Sequence, residues 1–190
     1  LTSVLERGRL MASANEGGMI APVGAELDVV QAVVQSLKNE GAIEIANYNA
    51  PGQFIISGAK NLMPRAELML KDLGVKRVLE LPVSGAFHSP LMEDARREMS
   101  KLLAKTDFKP PRVKFYANVT GDEVADPESI REFLVSQLTM PVLWIDTVKN
   151  AHRDGTTRFY EFGPGKVLQG LIKRIEPSVE TFGYDALIKS

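Results

Sequence analysis

His88 stands immediately before Ser89-Pro90, a pair suited to open a helix, in the stretch Leu81-Pro-Val-Ser-Gly-Ala-Phe-His-Ser-Pro-Leu-Met92. A helix N-terminus carries partial positive charge, which disfavours an imidazolium beside it. A histidine so placed stays neutral near pH 7, as a general base must. The same position equally suits a half-buried histidine that only bonds a backbone group, the commoner outcome when position is all that is known. His152 is the only other histidine and lies far away in sequence, which argues against a histidine-rich metal site. Cysteine is absent, so disulfides, cysteine nucleophiles and thiolate metal sites are excluded. Arg7 offers a different chemistry. A guanidinium can hold a free carboxylate with two parallel charge-assisted hydrogen bonds and reject an uncharged analogue. Beside Glu6 and Arg9, it also fits an ordinary surface arginine.

Other motifs carry less. None of the eleven serines lies in a G-x-S-x-G setting: Ser57-Gly58 follows Ile-Ile, and Ser84-Gly85 follows Pro-Val. Gly163-Pro-Gly-Lys166 fails the P-loop spacing, because Tyr160 occupies the position of the first glycine. It shapes a strand-to-helix turn instead. Asn118-Val-Thr120 is a formal glycosylation sequon, read as coincidence where no secretory signal is visible.

The elements that must position these residues follow from composition and periodicity. The 190 residues hold 23 Lys+Arg against 24 Asp+Glu, and this balance argues against a nucleic-acid binder. With 44% hydrophobic and 25% charged residues the chain reads as an ordinary globular domain, long enough to bury a sizeable core. No apolar run reaches the roughly 18 residues a membrane helix needs.

Residues 1–11 read as a helix with Leu1, Val4, Leu5 and Leu10 inward. A helix opening at residue one without a cap predicts that the chain begins inside something larger. Strands are expected over 19–23, 43–48, 53–57 and 75–83, and helices over 25–38 and 61–73. Asn49-Ala-Pro-Gly52 forms the turn between the middle strands. That order, β-α-β-β-α-β, matches a ferredoxin-like arrangement. Beyond it the pattern predicts a helix over 89–105, a strand through Val113, Phe115, Ala117 and Val119, and helices over 126–138 and 142–151. A strand over 158–162 then turns into a helix over 166–175, with Val167, Leu168, Leu171, Ile172 and Ile175 inward. Two strand-then-helix units suggest part of a parallel, helix-covered sheet, with its other strands expected before residue 1.

The chain resembles the C-terminal two-thirds of the malonyl-CoA–acyl carrier protein transacylases of bacterial fatty-acid synthesis. Four segments carry the resemblance: Glu6-Arg-Gly-Arg-Leu-Met11; Asn47-Tyr-Asn-Ala-Pro-Gly-Gln53; Gly85-Ala-Phe-His88; and Gln137-Leu-Thr-Met-Pro-Val-Leu-Trp144 with Tyr160-Glu-Phe-Gly-Pro-Gly-Lys166. The resemblance implies an α/β chain: a ferredoxin-like subdomain over 17–83, with 1–16 and 84–190 belonging to an α/β-hydrolase-like large domain. It implies ping-pong transfer of malonyl from malonyl-CoA to the phosphopantetheine thiol of acyl carrier protein through an acyl-serine, in the cytoplasm, with no cofactor. His88 becomes the catalytic base and Arg7 the malonyl anchor. Gln137 orients the histidine through its backbone carbonyl, so its side chain need do nothing.

Phe87 narrows the pocket against branched acyl groups, or simply packs in the core. Asn49 faces substrate, or is a turn asparagine before Pro-Gly. Lys76 and Arg77 meet CoA phosphates or the acidic carrier protein, or are charges on a solvated strand. The departure is the missing serine. The family places its elbow before the segment matched by Arg7, so the missing N-terminal segment becomes an expected partner, and the chain alone is expected to be inactive and sticky. A noncatalytic ferredoxin-like binding module and a polyketide-type acyltransferase remain as alternatives. Neither nucleic acid nor membrane is an expected partner.

Overall fold

The computed structural model describes residues 2–184. Its elements in chain order are α1 (Thr2–Ser13), β1 (Gly18–Val23), α2 (Leu27–Leu37), β2 (Ile43–Ala50), β3 (Gln53–Gly58), α3 (Met63–Asp72), β4 (Arg77–Glu80), α4 (Glu93–Leu103), α5 (Pro127–Ser136), α6 (Trp144–Arg153), β5 (Arg158–Glu161), α7 (Val167–Ile175) and β6 (Glu180–Gly183).

Strands β1 to β4 form one antiparallel sheet in the order β2-β3-β1-β4, the ferredoxin-like order. Alternation along the strands decides its two faces. Ile20, Ile43, Phe54 and Ile56 point to one side and pack on Val30, Val33 and Val34 of α2 and on Ala66 and Leu70 of α3. Met19, Ala46 and Ile55 point to the other side, where Leu81 and Phe87 cover them. At the hairpin tip Gly52 adopts φ 68°, the left-handed conformation a turn of this kind needs after Pro51.

A second core joins α1, α4 and α5 through Leu10, Met92, Met99, Leu103, Val135 and Leu138. A third lies under α6 and α7, around Ala50, Val148, Leu171, Ile172 and Ile175. Two ties fasten the sheet to the rest. Val142 adds one parallel rung to the β2 edge, accepting from Tyr48 N at 2.9 Å and donating to Ala46 O at 2.8 Å. The Arg174 guanidinium donates to Pro51 O and to the Gln53 side chain, both at 2.6 Å.

Several expectations fail for physical reasons. Residues 113–119 form no strand. Ala117 N donates to Asp122 O and Val124 N to Phe115 O, closing a tight loop with a single bridge, Tyr116 to Glu123. Alternating apolar residues make a strand only where a partner strand takes their hydrogen bonds. The strand expected over 75–83 shortens to β4, and β6, which pairs parallel with β5, was not expected. The helices expected at 61 and 89 open with 3-10 turns, Lys60–Leu62 and Pro90–Met92.

Val4 and Leu5 are 69% and 66% exposed, so of the residues expected inward on α1 only Leu10 is buried; Leu1 lies outside the described residues. Val167 is 66% exposed, and Leu168 is exposed too, which leaves Leu171, Ile172 and Ile175 as the buried stripe of α7. No helix among the described residues is long and apolar enough to cross a membrane.

Candidate active site

The loop from β4 to α4 carries the histidine and is held by close packing. A Cβ at Gly85 would stand 2.2 Å from the Ala14 carbonyl oxygen, so only glycine lets the loop approach the end of α1 that closely. Ala86 is fully buried. Phe87 wedges between the open face of the sheet and the α1–α4–α5 core, in contact with both. His88 then takes φ 59°, the only non-glycine with positive φ among the described residues. Ser89 returns the backbone to extended geometry and caps the next turn.

His88 Nδ1 lies 2.7 Å from Gln137 O. A carbonyl oxygen only accepts, so the proton sits on Nδ1 and Nε2 is left as the free base. Gln137 ends α5, where carbonyls lack partners within the helix and carry partial negative charge. The imidazole fills one of those orphan positions, and the helix end favours its protonated form. The Gln137 side chain turns back, donating to Leu134 O at 3.3 Å, and does not touch the ring.

Burial pushes the His88 pKa below its ordinary 6.5; the Gln137 carbonyl pulls it back up, the charge of Arg7 pushes it down, and the Met140 backbone raises it. The net direction is down, so the ring is neutral near pH 7.

Arg7 is half-buried, and burial lowers its pKa. Its Nε is buried with no hydrogen-bond partner. The acid beside it is already used: Glu6 pairs with Arg9 at 2.7 Å. Among the described residues, therefore, Arg7 is a half-buried cation without a carboxylate, close enough to His88 to shift the ring. Desolvated charge without a counter-charge is costly, and an anionic ligand would relieve it.

The other expected site residues scatter. Asn49 is half-buried on β2, two residues past the Asn47–Val142 bridge. Lys76 and Arg77 are exposed at β4, the sheet edge opposite β2, about 15 Å across three strand spacings. His88 also lines an open cleft of about 820 Å³ together with Gln31 and Gln35 of α2, Tyr48 of β2 and Met140. Arg7, Phe87 and Asn49 do not line it. Gln31 and Gln35 lie one turn apart on α2 and belong to no motif, so nothing in the sequence pointed to this cleft. Tyr48, whose phenol pKa is raised by burial and by Glu44 and Asp146, lies in the Asn47–Gln53 segment that carries the resemblance but had no role assigned to it.

The acyl transferase domain family matches residues 1–181. The malonyl CoA-acyl carrier protein transacylase of Bacillus subtilis (strain 168) is 36% identical over 183 residues, 94% of this chain and 58% of that protein. The polyketide biosynthesis protein ThaF of Burkholderia thailandensis is 40% identical over 177 residues, 93% of this chain and 15% of that protein. Among solved structures, the acyl carrier protein S-malonyltransferase of Vibrio cholerae O1 superimposes with a TM-score of 0.93 at 35% identity, covering 98% of this chain and 64% of that one. The chain thus spans about three-fifths of the length of the Bacillus subtilis and Vibrio cholerae relatives and a far smaller part of ThaF.

Proposed function

The chain belongs to the acyl transferase domain family, and we propose that it supplies the base and the acyl-recognition side of a malonyl transfer from malonyl-CoA to the phosphopantetheine thiol of acyl carrier protein. The observation that supports this most is the His88–Gln137 carbonyl pair at 2.7 Å beside an unpaired, half-buried Arg7. The names of the relatives support malonyl-CoA and acyl carrier protein as substrates.

The chain has no serine in a G-x-S-x-G setting, so the nucleophile is proposed to come from a segment outside this sequence, and this chain alone is proposed to be inactive. In the first half-reaction His88 Nε2 takes the serine proton as Oγ attacks the thioester carbonyl. The C–S bond then breaks and CoA leaves as the thiol, taking that proton back. In the second half, Nε2 takes the proton of the pantetheine thiol, sulfur attacks the acyl-serine ester carbonyl, the ester C–O bond breaks, and the departing serine Oγ takes the proton from Nε2. Gln137 O holds Nδ1–H throughout and steadies the imidazolium. Arg7 pairs with the malonyl carboxylate and discriminates against acetyl.

Phe87 and Asn49 are proposed to line the acyl pocket, and Lys76 and Arg77 to face CoA or carrier-protein phosphate and acid groups, in a cytoplasmic reaction. The division into 1–16, 17–83 and 84–190 belongs to the same proposal. The resemblance to a polyketide biosynthesis protein favours a second setting for the same chemistry, supply of malonyl units to a polyketide carrier protein.

The test joins this chain to the part of the Bacillus subtilis relative that it leaves uncovered, where the nucleophile segment is proposed to lie. Malonyl transfer to holo-acyl carrier protein is measured, with calorimetry of malonyl-CoA binding alongside. Transfer that is lost in His88→Ala, and binding that is lost in Arg7→Ala, are expected. Transfer that survives His88→Ala, or binding indifferent to Arg7, overturns the assignment.

A further inference from the structure

The left-handed backbone at His88 is the one strained non-glycine conformation among the described residues. A residue with a Cβ leaves that region for the ordinary helical or extended one unless its neighbours prevent it. Relaxation would turn φ by about 120° and swing the imidazole off its acceptor.

Three features hold the two ends of this loop. Upstream, Gly85 and Ala86 are clamped between Ala14 and Gly17: a Cβ on Gly17 would stand 2.5 Å from the Ala86 Cβ. Downstream, α4 anchors the chain through Met92 and Met99. Between them lies Ser89, fully buried although it is polar. Its Oγ donates to Ala86 O at 2.7 Å and accepts from Leu91 N at 3.3 Å. One hydroxyl therefore staples residue 86 to residue 91 across the strained histidine. A serine whose only task was capping the turn would need the second bond alone.

We infer that Ser89 is a positioning residue, whose buried hydroxyl locks His88 in the left-handed conformation and so keeps Nδ1–H on the Gln137 carbonyl and Nε2 free. This deepens the role proposed for His88. Its test reads the ring itself, not acyl transfer, so failure of the one is distinct from failure of the other.

The chain has two histidines, so ¹⁵N-labelled imidazole spectra resolve both, and His152→Gln assigns them. At a pH where the rings are neutral, His88 is expected as a single tautomer protonated at Nδ1. Ser89→Ala is expected to give exchange between both tautomers, and Ser89→Thr to restore the single form. Leu103→Ala, which damages the same core without touching the staple, is expected to keep the tautomer while lowering the urea midpoint. A single tautomer in Ser89→Ala overturns the inference. So does equal scrambling in Leu103→Ala, which would make the effect mere loosening.

A stability cycle covers the case in which Ser89→Ala fails to fold. In a His88→Gly background the left-handed conformation carries no strain, so Ser89→Ala is expected to lower the urea midpoint more there than in the parent, whose loop regains part of the loss by relaxing, and the doubly substituted chain is expected to fold where the single variant does not. Equal losses in both backgrounds, or no recovery, overturn it.

Discussion

The loop before α4 and the end of α6 each hold a histidine whose Nδ1 meets a main-chain carbonyl, Gln137 O at 2.7 Å for His88 and Thr156 O at 3.1 Å for His152. They differ in how far along the chain the partner lies. Thr156 is four residues from His152, in the turn that ends its own helix, and any helix end can make such a contact. Gln137 is 49 residues from His88. Reaching it takes a left-handed residue, a glycine pressed on Ala14, and a rung between Val142 and β2 that fixes the end of the 137–142 segment. A local contact stabilises the element that makes it. A distant one held by strain fixes a tautomer, and that is what proton transfer needs.

The sharpest way to break this comparison is to remove each ring in turn, in the chain joined to a G-x-S-x-G segment. His88→Ala is expected to lower kcat for malonyl transfer by about 10²–10⁴-fold, the usual worth of a general base. His152→Ala is expected to leave kcat within about twofold and to weaken only the end of α6, by less than about 1 kcal/mol. Comparable losses from both variants would show that the distant contact carries nothing special.

A second pair sharpens the same point. Arg7 and Arg9 share one turn of α1, yet Arg9 is spent on Glu6 while Arg7 is half-buried and has no carboxylate partner among the described residues. Arg7→Ala is expected to cost about 10–100-fold in kcat/KM for malonyl-CoA, the range of a charge-assisted hydrogen bond, and to improve relative use of acetyl-CoA. Arg9→Ala is expected to change neither. Kinetics with both thioesters decide it, and unchanged selectivity in Arg7→Ala would remove its assigned role.

The third expected effect is a pH dependence. Burial holds the His88 pKa below 6.5, so the unfolded chain takes up this proton first as pH falls. The associated stability is complete above pH 6.5 and is lost as pH drops through the lowered value. Activity should follow the same limb, falling about tenfold per unit below a folded pKa that lies under 6.5. Because the charge of Arg7 also depresses the ring, Arg7→Ala should move the limb toward higher pH. A limb that moves the other way would mean that Arg7 does not act on His88.

How much of this was legible divides along the same line as the two histidines. The sheet was readable because its information is local: alternation in 43–48 and 53–57, Pro51-Gly52 at the tip, and 3.6-period stripes ending at Lys38 and Gly74. Where burial depends on a distant partner, the sequence misled. Val4 and Leu5 look like a core stripe and are exposed; Val113 to Val119 alternate like a strand and fold into a loop. Glu180–Gly183 carries a weak signal and becomes β6 only because β5 lies alongside. The proximity of His88 to Gln137 is invisible to periodicity. Resemblance alone placed the two together, and the φ of His88 and the staple of Ser89 were legible in neither way.

The smallest expected effect tests the comparison most directly, because it separates a carbonyl from the side chain that bears its name. Gln137→Ala keeps the backbone oxygen that holds Nδ1–H and removes only an amide bonded to Leu134 O within α5. Alanine is also the better helix former, so the end of α5 should not fray. Malonyl transfer in the joined chain is expected to stay within about twofold, and the His88 tautomer to stay fixed. A large loss would place the work in the amide side chain, and the distant contact would then be a matter of residue type and not of where a helix ends.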